Sequence, residues 1–156
     1  MFSYRRPGRS RQNRGVTDVV DRALTLWTAE PLPEPEALEA FRTVYADPVR
    51  VNGAVSPLQP LVDRARMLHG AFEGLHHELF ERVDTPGRSA IAFRLSGRHT
   101  GPLTTPLGDV PPTGKVLDVL GLDILSFADD RVTEVWAVAD WLGLLLRAGG
   151  VALAHP

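Results

Sequence analysis

The sequence predicts an α+β domain in which a curved antiparallel sheet, open as a half-barrel, packs against helices from the N-terminal half of the chain. Up to about residue 74, apolar residues recur at spacings of three and four, which is the period of an amphipathic helix. From His76 onward the period becomes that of extended strands with turn residues between them. Helices first and antiparallel strands afterwards are typical of α+β domains. A twisted sheet covered on one face by helices leaves a hollow suited to a small molecule.

Three helices are predicted before the sheet. Thr17 caps the first, whose apolar face comprises Val20, Ala23, Leu24 and Trp27. The second follows the proline-rich segment 31–36 and ends at Asp47-Pro48; one side of it carries Leu38, Phe41 and Tyr45. An irregular or edge-strand segment, 49–55, comes next. The third helix begins at Ser56-Pro57, ends near Gly74, and has an apolar stripe of Leu58, Leu61, Val62, Ala65, Leu68 and Phe72.

Four strands and a short helix complete the predicted fold. We expect the strands at roughly 76–84, 88–99, 115–128 and 131–139. Pro86-Gly87 and Asp129-Asp130 are the expected hairpin turns. The segment 100–114 is rich in proline and glycine and is expected to be a loop above the sheet. A final helix over 141–148 is stopped by Gly149-Gly150.

Length, charge and composition limit the function classes. The 156 residues suit one domain, which we place at 15–150, with a short tail at 151–156. Residues 1–14 hold five arginines and no acid, and are expected to form a flexible basic arm. The remainder then carries a net charge of about −7, which argues against nucleic acid as the ligand because phosphate binding needs a basic surface. The sequence also lacks cysteine, a membrane-spanning apolar run and a secretory signal pattern, so we expect a cytoplasmic protein.

Two ionisable side chains interrupt otherwise apolar strand segments. His99 shares one strand face with Ile91, Phe93 and Leu95, so we expect it to point towards the helices. Asp123 has apolar neighbours on both faces of its strand, and burial there would raise its pKa into the range useful for proton transfer. A structural, hydrogen-bonded histidine and an outward-facing or arginine-paired aspartate remain as alternatives.

Two aromatic residues are weaker candidates for the same hollow. Tyr45 could donate a hydrogen bond into it or could be an ordinary core tyrosine. Trp136 could stack on a ligand or serve only in packing. The sequence contains no phosphate-binding loop, no nucleophile elbow, no dinucleotide fingerprint and no histidine spacing typical of a metal site. Acid–base chemistry by side chains, or binding without chemistry, therefore remains.

Five segments in the last third of the chain carry a family resemblance. They are Gly97-Arg98-His99-Thr100-Gly101, Pro111-Pro112-Thr113-Gly114, Gly121-Leu122-Asp123-Ile124, Arg131-Val132-Thr133-Glu134-Val135-Trp136 and Asp140-Trp141-Leu142-Gly143-Leu144-Leu145. Together they resemble the SnoaL-like family, the polyketide cyclase or ester cyclase branch of the nuclear transport factor two-like superfamily. The resemblance covers about residues 35–150. It implies a cone-shaped α+β barrel with a deep apolar cavity, a homodimer or larger assembly, and no cofactor or metal.

The resemblance also implies where a site would lie. The founding cyclases close a ring by intramolecular aldol chemistry with an aspartate on the last strand, and counting back from Asp140 puts that position at Ala137. Their histidine and glutamine on the preceding strand fall on Asp123 and Gly121, and a further pocket residue matches Asn52. We therefore expect the carboxylate at Asp123, with His99 as its partner. The other expected substrate-binding residues are Tyr45, Phe93, Leu95, Val119, Gly121, Ala137 and Trp136.

Functions of different classes fit these observations. The first is an enzyme of secondary metabolism that cyclises, isomerises or opens the epoxide of a small apolar molecule, polyketide-like or isoprenoid-like, with Asp123 as base and His99 as donor. The alternative is a non-catalytic small-molecule binding or scaffold protein of the same fold, which Ala137 favours. A third, an interaction made by the arginine arm, predicts that deletion of residues 1–14 removes function.

Overall fold

The structure, a computed structural model, describes residues 11–150 and confirms the α+β class. Four helices occur in this range: α1 (Arg11–Thr28), α2 (Glu34–Arg42), α3 (Gln59–Ala71) and α4 (Trp141–Ala148). The strands are β1 (Tyr45–Val51), β2 (Ala54–Ser56), β3 (Phe72–Thr85), β4 (Arg88–His99), β5 (Leu103–Thr105), β6 (Gly108–Val110), β7 (Val116–Ala128) and β8 (Arg131–Ala139). Of the predicted arm and tail, residues 1–10 and 151–156 lie outside the described part.

Six strands form one curved, unclosed sheet in the order β2-β1-β8-β7-β4-β3, and β5 and β6 form a separate hairpin. The long hairpins of β3, β4, β7 and β8 are antiparallel, as expected. β1, however, runs parallel to β8, which makes the sheet mixed. No tight turn joins these two strands, so a hairpin does not dictate their direction. β1 instead turns back into β2 at Asn52-Gly53, where both residues have positive φ, as a two-residue hairpin turn requires.

Several element boundaries differ from the sequence prediction. α1 already includes Arg11, because arginine and glutamine at this end are good helix formers. α3 begins at Gln59 rather than at Ser56, whose hydroxyl donates to the Pro57 carbonyl instead of capping the helix. The predicted loop at 100–114 contains the β5–β6 hairpin, since Leu103 and Val110 are apolar enough to be buried beneath it.

Side-chain alternation on β7 determines which face of the sheet is concave. Leu117, Val119 and Leu125 are buried, and Asp123 shares their face. The opposite face is exposed at Val116, Leu120, Leu122 and Ile124. The sequence left this parity open because both faces of the strand are apolar, and only the helices decide which one is covered.

Two apolar clusters fill the space between the concave face and the helices. One involves α1, α2, the first half of α3 and strands β1, β7 and β8. The other involves the end of α3, the β5–β6 hairpin, α4 and the first half of β7. A cavity lies between these clusters, so the fold positions a pocket along the middle of the sheet. No helix in the described part of the chain is long and apolar enough to cross a membrane.

Candidate active site

The cavity has a volume of about 430 Å³ and a mostly apolar wall. α1 and α3 cover one side of it, and β4, β7 and β8 form the other. Eight of the residues expected from the sequence line it, namely Tyr45, Asn52, Phe93, Leu95, Val119, Gly121, Asp123 and Ala137. A pocket of this size, lined by apolar side chains with a few polar groups, is typical of small-molecule sites.

Asp123 brings a carboxyl group to the middle of this wall. It pairs with Ile91 on β4 and with Ala137 on β8, and its side chain is partly buried. Burial raises the pKa of Asp123 from 3.8 to about 7. Among the described residues, no side chain or backbone group forms a hydrogen bond or ion pair with this carboxyl. It can therefore gain or lose a proton near neutral pH, as an acid–base group must.

The outward-facing or arginine-paired alternative describes Asp118 instead. That residue lies on the convex side of the same strand, with its carboxylate 3.5 Å from Arg94 Nε and 3.4 Å from Arg147 Nε. A five-residue separation on a strand reverses the face, so Asp118 and Asp123 meet opposite environments.

Tyr45 contributes the second polar group of the cavity. Trp27 Nε1 donates a hydrogen bond of 2.9 Å to its hydroxyl oxygen, so the phenolic proton is left for another acceptor. Burial raises the pKa of Tyr45, the Trp27 hydrogen bond lowers it by less, and the charge of Asp123 raises it further. The phenol therefore stays protonated and can act as a neutral hydrogen-bond donor.

Gly121 is required by the packing around Asp123. It pairs with Phe93 on β4, and a Cβ atom at this position would lie 2.5 Å from Phe93 Cζ. The absence of a side chain lets the phenyl ring lie across β7. Because Gly121 also lines the cavity, the ring forms part of the apolar wall beside Asp123.

Asn52 lines the cavity, but its amide is occupied by the backbone. Its Oδ1 accepts from Ala137 N at 2.8 Å and its Nδ2 donates to Ala137 O at 3.2 Å. Its backbone N–H donates to Val135 O at 2.8 Å. These bonds attach the β1–β2 turn to β8, opposite Asp123, so Asn52 holds the wall of the cavity in position.

His99 does not line the cavity with Asp123, contrary to the sequence expectation. Asp123 pairs with Ile91, and His99 lies eight residues farther along β4, a strand length of about 26 Å. The ring is fully buried in the second cluster, where Nδ1 lies 3.1 Å from Thr113 Oγ1 and the ring packs on Phe72. Burial lowers the pKa of His99. The arrangement is that of the structural histidine which the sequence left as an alternative.

Trp136 also lies away from the cavity. It follows Val135 on β8 and therefore faces the convex side, where 48% of it is exposed. Its cross-strand partner, Ile124, also faces outwards. Trp136 therefore cannot contact a ligand inside the cavity, contrary to the expectation from the sequence.

The sequence did not predict the remaining residues of the cavity wall as site residues; the aromatic and charged ones among them are Trp27, Arg64 and Trp141. Arg64 had a signal, since it follows Leu61 by three and precedes Leu68 by four, which puts a charged group on the apolar stripe of α3. Trp141 lies beyond β8, and only the tertiary structure brings it to the cavity. No group of three or more histidine, aspartate or glutamate side chains within the described residues could hold a metal ion.

The chain resembles known proteins in both sequence and fold. A family model described as SnoaL-like polyketide cyclase matches residues 17–147, which confirms the resemblance noted in the sequence. No curated protein matches the chain.

Solved structures of similar fold cover nearly the whole chain. A protein described as a SnoaL-like polyketide cyclase from Jannaschia sp. CCS1 is 20% identical over 94% of this chain and 99% of its own, with a TM-score of 0.74. TsrD from Streptomyces laurentii is 21% identical over 92% and 100% of the two chains, with a TM-score of 0.73. AclR from Streptomyces galilaeus, described as a hydroxylase, is 20% identical over 87% and 98%, with a TM-score of 0.66. At these identities the likeness establishes the fold.

Proposed function

Because the chain belongs to the SnoaL-like polyketide cyclase family, we propose that it is an acid–base enzyme acting on a small, largely apolar molecule held in the cavity. The substrate is polyketide-like or isoprenoid-like and the reaction is a cyclisation, an isomerisation or an epoxide opening in secondary metabolism. The observation that carries the proposal is Asp123, a carboxyl without a partner among the described residues, whose pKa burial raises to about 7.

In this proposal Asp123 moves the proton. For cyclisation or isomerisation, its carboxylate removes a proton from a carbon next to a carbonyl, which leaves an enolate on the substrate. The enolate then attacks a second carbonyl or is protonated at another carbon, and the carboxylic acid returns the proton to the product. The apolar wall excludes water, so the charges that develop are not screened.

Tyr45 replaces His99 as the proposed hydrogen-bond donor. His99 is separated from the cavity, whereas the Tyr45 phenol lines it and has its proton available. A neutral donor directed at the substrate oxygen would stabilise the enolate or alkoxide in the transition state. Tyr45 therefore takes the positioning and donor role in this mechanism.

Cross-strand pairing supports the proposed position of the carboxylate. The residue opposite Asp123 on β8 is Ala137, where the family resemblance implies the catalytic aspartate. Residues paired across antiparallel strands have Cβ atoms about 5 Å apart. Since both residues line the cavity, a carboxylate at either position reaches the same region. Asp123 can therefore serve in place of an aspartate at 137.

Proton transfer can be tested without knowing the natural substrate. We would follow deuterium incorporation into an apolar bicyclic ketone, 2-tetralone, by NMR in D₂O. The protein should accelerate exchange, Asp123→Asn should lose the acceleration, and Asp123→Ala combined with Ala137→Asp should recover part of it. Asp109→Asn, on an exposed strand of the β5–β6 hairpin, is the matched control.

The alternative function predicts a different pattern. A non-catalytic binding protein would bind 2-tetralone, measured by quenching of Trp27 and Trp141 fluorescence, with no acceleration of exchange in any variant. Retention of acceleration in Asp123→Asn would instead place the base elsewhere.

We also propose that the chain is a cytoplasmic homodimer or larger homo-oligomer. The convex face exposes large apolar side chains on two neighbouring strands, namely Leu120, Leu122, Ile124, Trp136 and Val138. Contiguous apolar surface of this kind is typical of a protein interface. Sedimentation velocity of the full chain tests the assembly, since a monomer at micromolar concentration would contradict it.

A further inference from the structure

Among the described residues that line the cavity, Arg64 has the one positively charged side chain. It lies on α3, is partly buried, and places its guanidinium carbon 4.7 Å from the centre of the Trp141 ring. Burial lowers the pKa of Arg64. A cation held against an aromatic face inside an apolar cavity has lost part of its hydration, so a further polar contact is worth more there than at the surface.

The donors of Arg64 are largely uncommitted. A guanidinium has five N–H donors, and the described residues supply one hydrogen bond, from Nη1 to Thr104 O at the long distance of 3.4 Å. No carboxylate in the described part of the chain pairs with Arg64. Other described arginines do form such pairs, namely Arg42, Arg50, Arg66, Arg82, Arg94 and Arg147.

The position of Arg64 relative to Asp123 is given by the strand register. Asp123 pairs with Ala137, and Gly121 pairs with Ala139, two residues before Trp141. Arg64 stacks on Trp141, so it lies towards the α4 end of the cavity, beyond Gly121 from Asp123. A single ligand in the cavity can therefore present one end to Arg64 and another to Asp123.

We propose that Arg64 is a specificity-determining residue that binds a carboxylate on the substrate, so that the cavity selects an apolar carboxylic acid. The planar guanidinium matches a carboxylate in a two-point hydrogen bond, and contact with the Trp141 ring holds it at the cavity wall. This inference rests on the proposed function, because it assigns the substrate class of the same cavity. It requires binding alone, so binding can test it separately from catalysis.

Two ligands of nearly the same shape separate charge from apolar contact. 2-Naphthoate carries the carboxylate, and 2-acetylnaphthalene replaces it with a neutral methyl ketone. We would titrate both at pH 6, where Asp123 is mostly protonated, and measure affinity by calorimetry. The wild-type protein should bind the carboxylate about tenfold more tightly or better, as expected for a hydrogen bond to a charged group.

Arg64→Met keeps the unbranched stem and removes the guanidinium. This substitution should weaken the affinity for 2-naphthoate by about tenfold or more and change the affinity for 2-acetylnaphthalene by less than about twofold. Arg131→Met is the matched control, since it changes the net charge equally on an exposed residue outside the cavity. Arg64→Lys should recover only part of the preference, because an ammonium lacks the planar fork.

Two results would overturn the inference. Equal affinity of the wild-type protein for both ligands would show that the cavity has no preference for the carboxylate. An equal loss of affinity for both ligands in Arg64→Met would show that Arg64 contributes only apolar contact to the cavity wall. Neither result bears on deuterium exchange into 2-tetralone, which has no carboxylate. Conversely, no acceleration of exchange by the wild-type protein, or retained acceleration in Asp123→Asn, would overturn the acid–base proposal. With an unchanged carboxylate preference, either result would leave the role of Arg64 intact, so the two proposals fail separately.

Discussion

Replacing Asp123 with asparagine should stabilise the protein at alkaline pH and leave its stability almost unchanged at pH 4. The side chains are nearly equal in size, so the substitution mainly removes the ability to ionise. At pH 4 the folded wild-type protein keeps Asp123 protonated, because burial raises its pKa to about 7. At pH 9 the carboxylate is charged inside an apolar cavity with no partner among the described residues.

The size of the effect follows from the pKa difference between the folded and unfolded states. The folded value is about 7 and the unfolded reference is 3.8, so the folded protein binds more protons between these values. Wild-type stability should therefore fall as pH rises from about 4 to above 7, and Asp123→Asn should lack this fall. Three pKa units correspond to about 4 kcal/mol, which is an upper limit because the side chain is only partly buried.

Urea denaturation followed by circular dichroism at pH 4.5, 6, 7.5 and 9 measures the difference directly. Asp109→Asn is the control, since it makes the same chemical change at an exposed aspartate outside the cavity. A difference between Asp123→Asn and wild type that stays flat from pH 4.5 to 9 would refute the reasoning. It would mean that Asp123 ionises in the folded state without a loss of stability. Its pKa would then not be raised, and the argument for Asp123 as an acid–base group near neutral pH would fail.

Three further substitutions test the packing around the site. Gly121→Ala should lower the free energy of unfolding by about 1–3 kcal/mol and weaken binding of 2-acetylnaphthalene, because the new methyl group displaces the Phe93 ring into the cavity. Urea denaturation and calorimetry measure the two effects, and Gly70→Ala, where a Cβ meets nothing within 4 Å, is the control. His99→Leu should lower the free energy of unfolding by about 1–3 kcal/mol through the lost hydrogen bond, yet leave that affinity unchanged, and a large loss of affinity would return His99 to the site. Asn52→Gly keeps the left-handed turn, where φ is 48°, and removes both side-chain hydrogen bonds to the β8 backbone. Thermal denaturation should therefore show a free energy of unfolding that is lower by about 1–3 kcal/mol, and unchanged stability would show that Asn52 does not hold the turn against β8.

Much of the fold and part of the candidate site could be predicted from local patterns in the sequence. The long strands and their two hairpin turns depend on period-two alternation and turn dipeptides, which are properties of neighbouring residues. The final helix also depends on local residues: Asp140 caps its start by accepting a hydrogen bond from the Gly143 N–H, and Gly149 ends it in a left-handed conformation. Eight of the ten residues expected at the site line one cavity. Strand parity accounts for the six that lie on β4, β7 and β8, whereas Tyr45 was expected on a helix and Asn52 came from the family resemblance.

Tertiary contacts decided the rest, because they join residues that are distant in the chain. Both faces of β7 are apolar, so only the packing of the helices established that Asp123 faces the cavity while Leu122 and Ile124 face outwards. Strand parity put His99 on the concave face, but the sequence did not give the register between β4 and β7. That register pairs Asp123 with Ile91 and leaves His99 in the second apolar cluster, away from the carboxyl group. The parallel pairing of β1 with β8 and the meeting of Arg64 with Trp141 likewise depend on how separate elements dock. Local sequence therefore determined most of the elements, whereas the docking of those elements decided which face of β7 is covered and which side chains share the cavity.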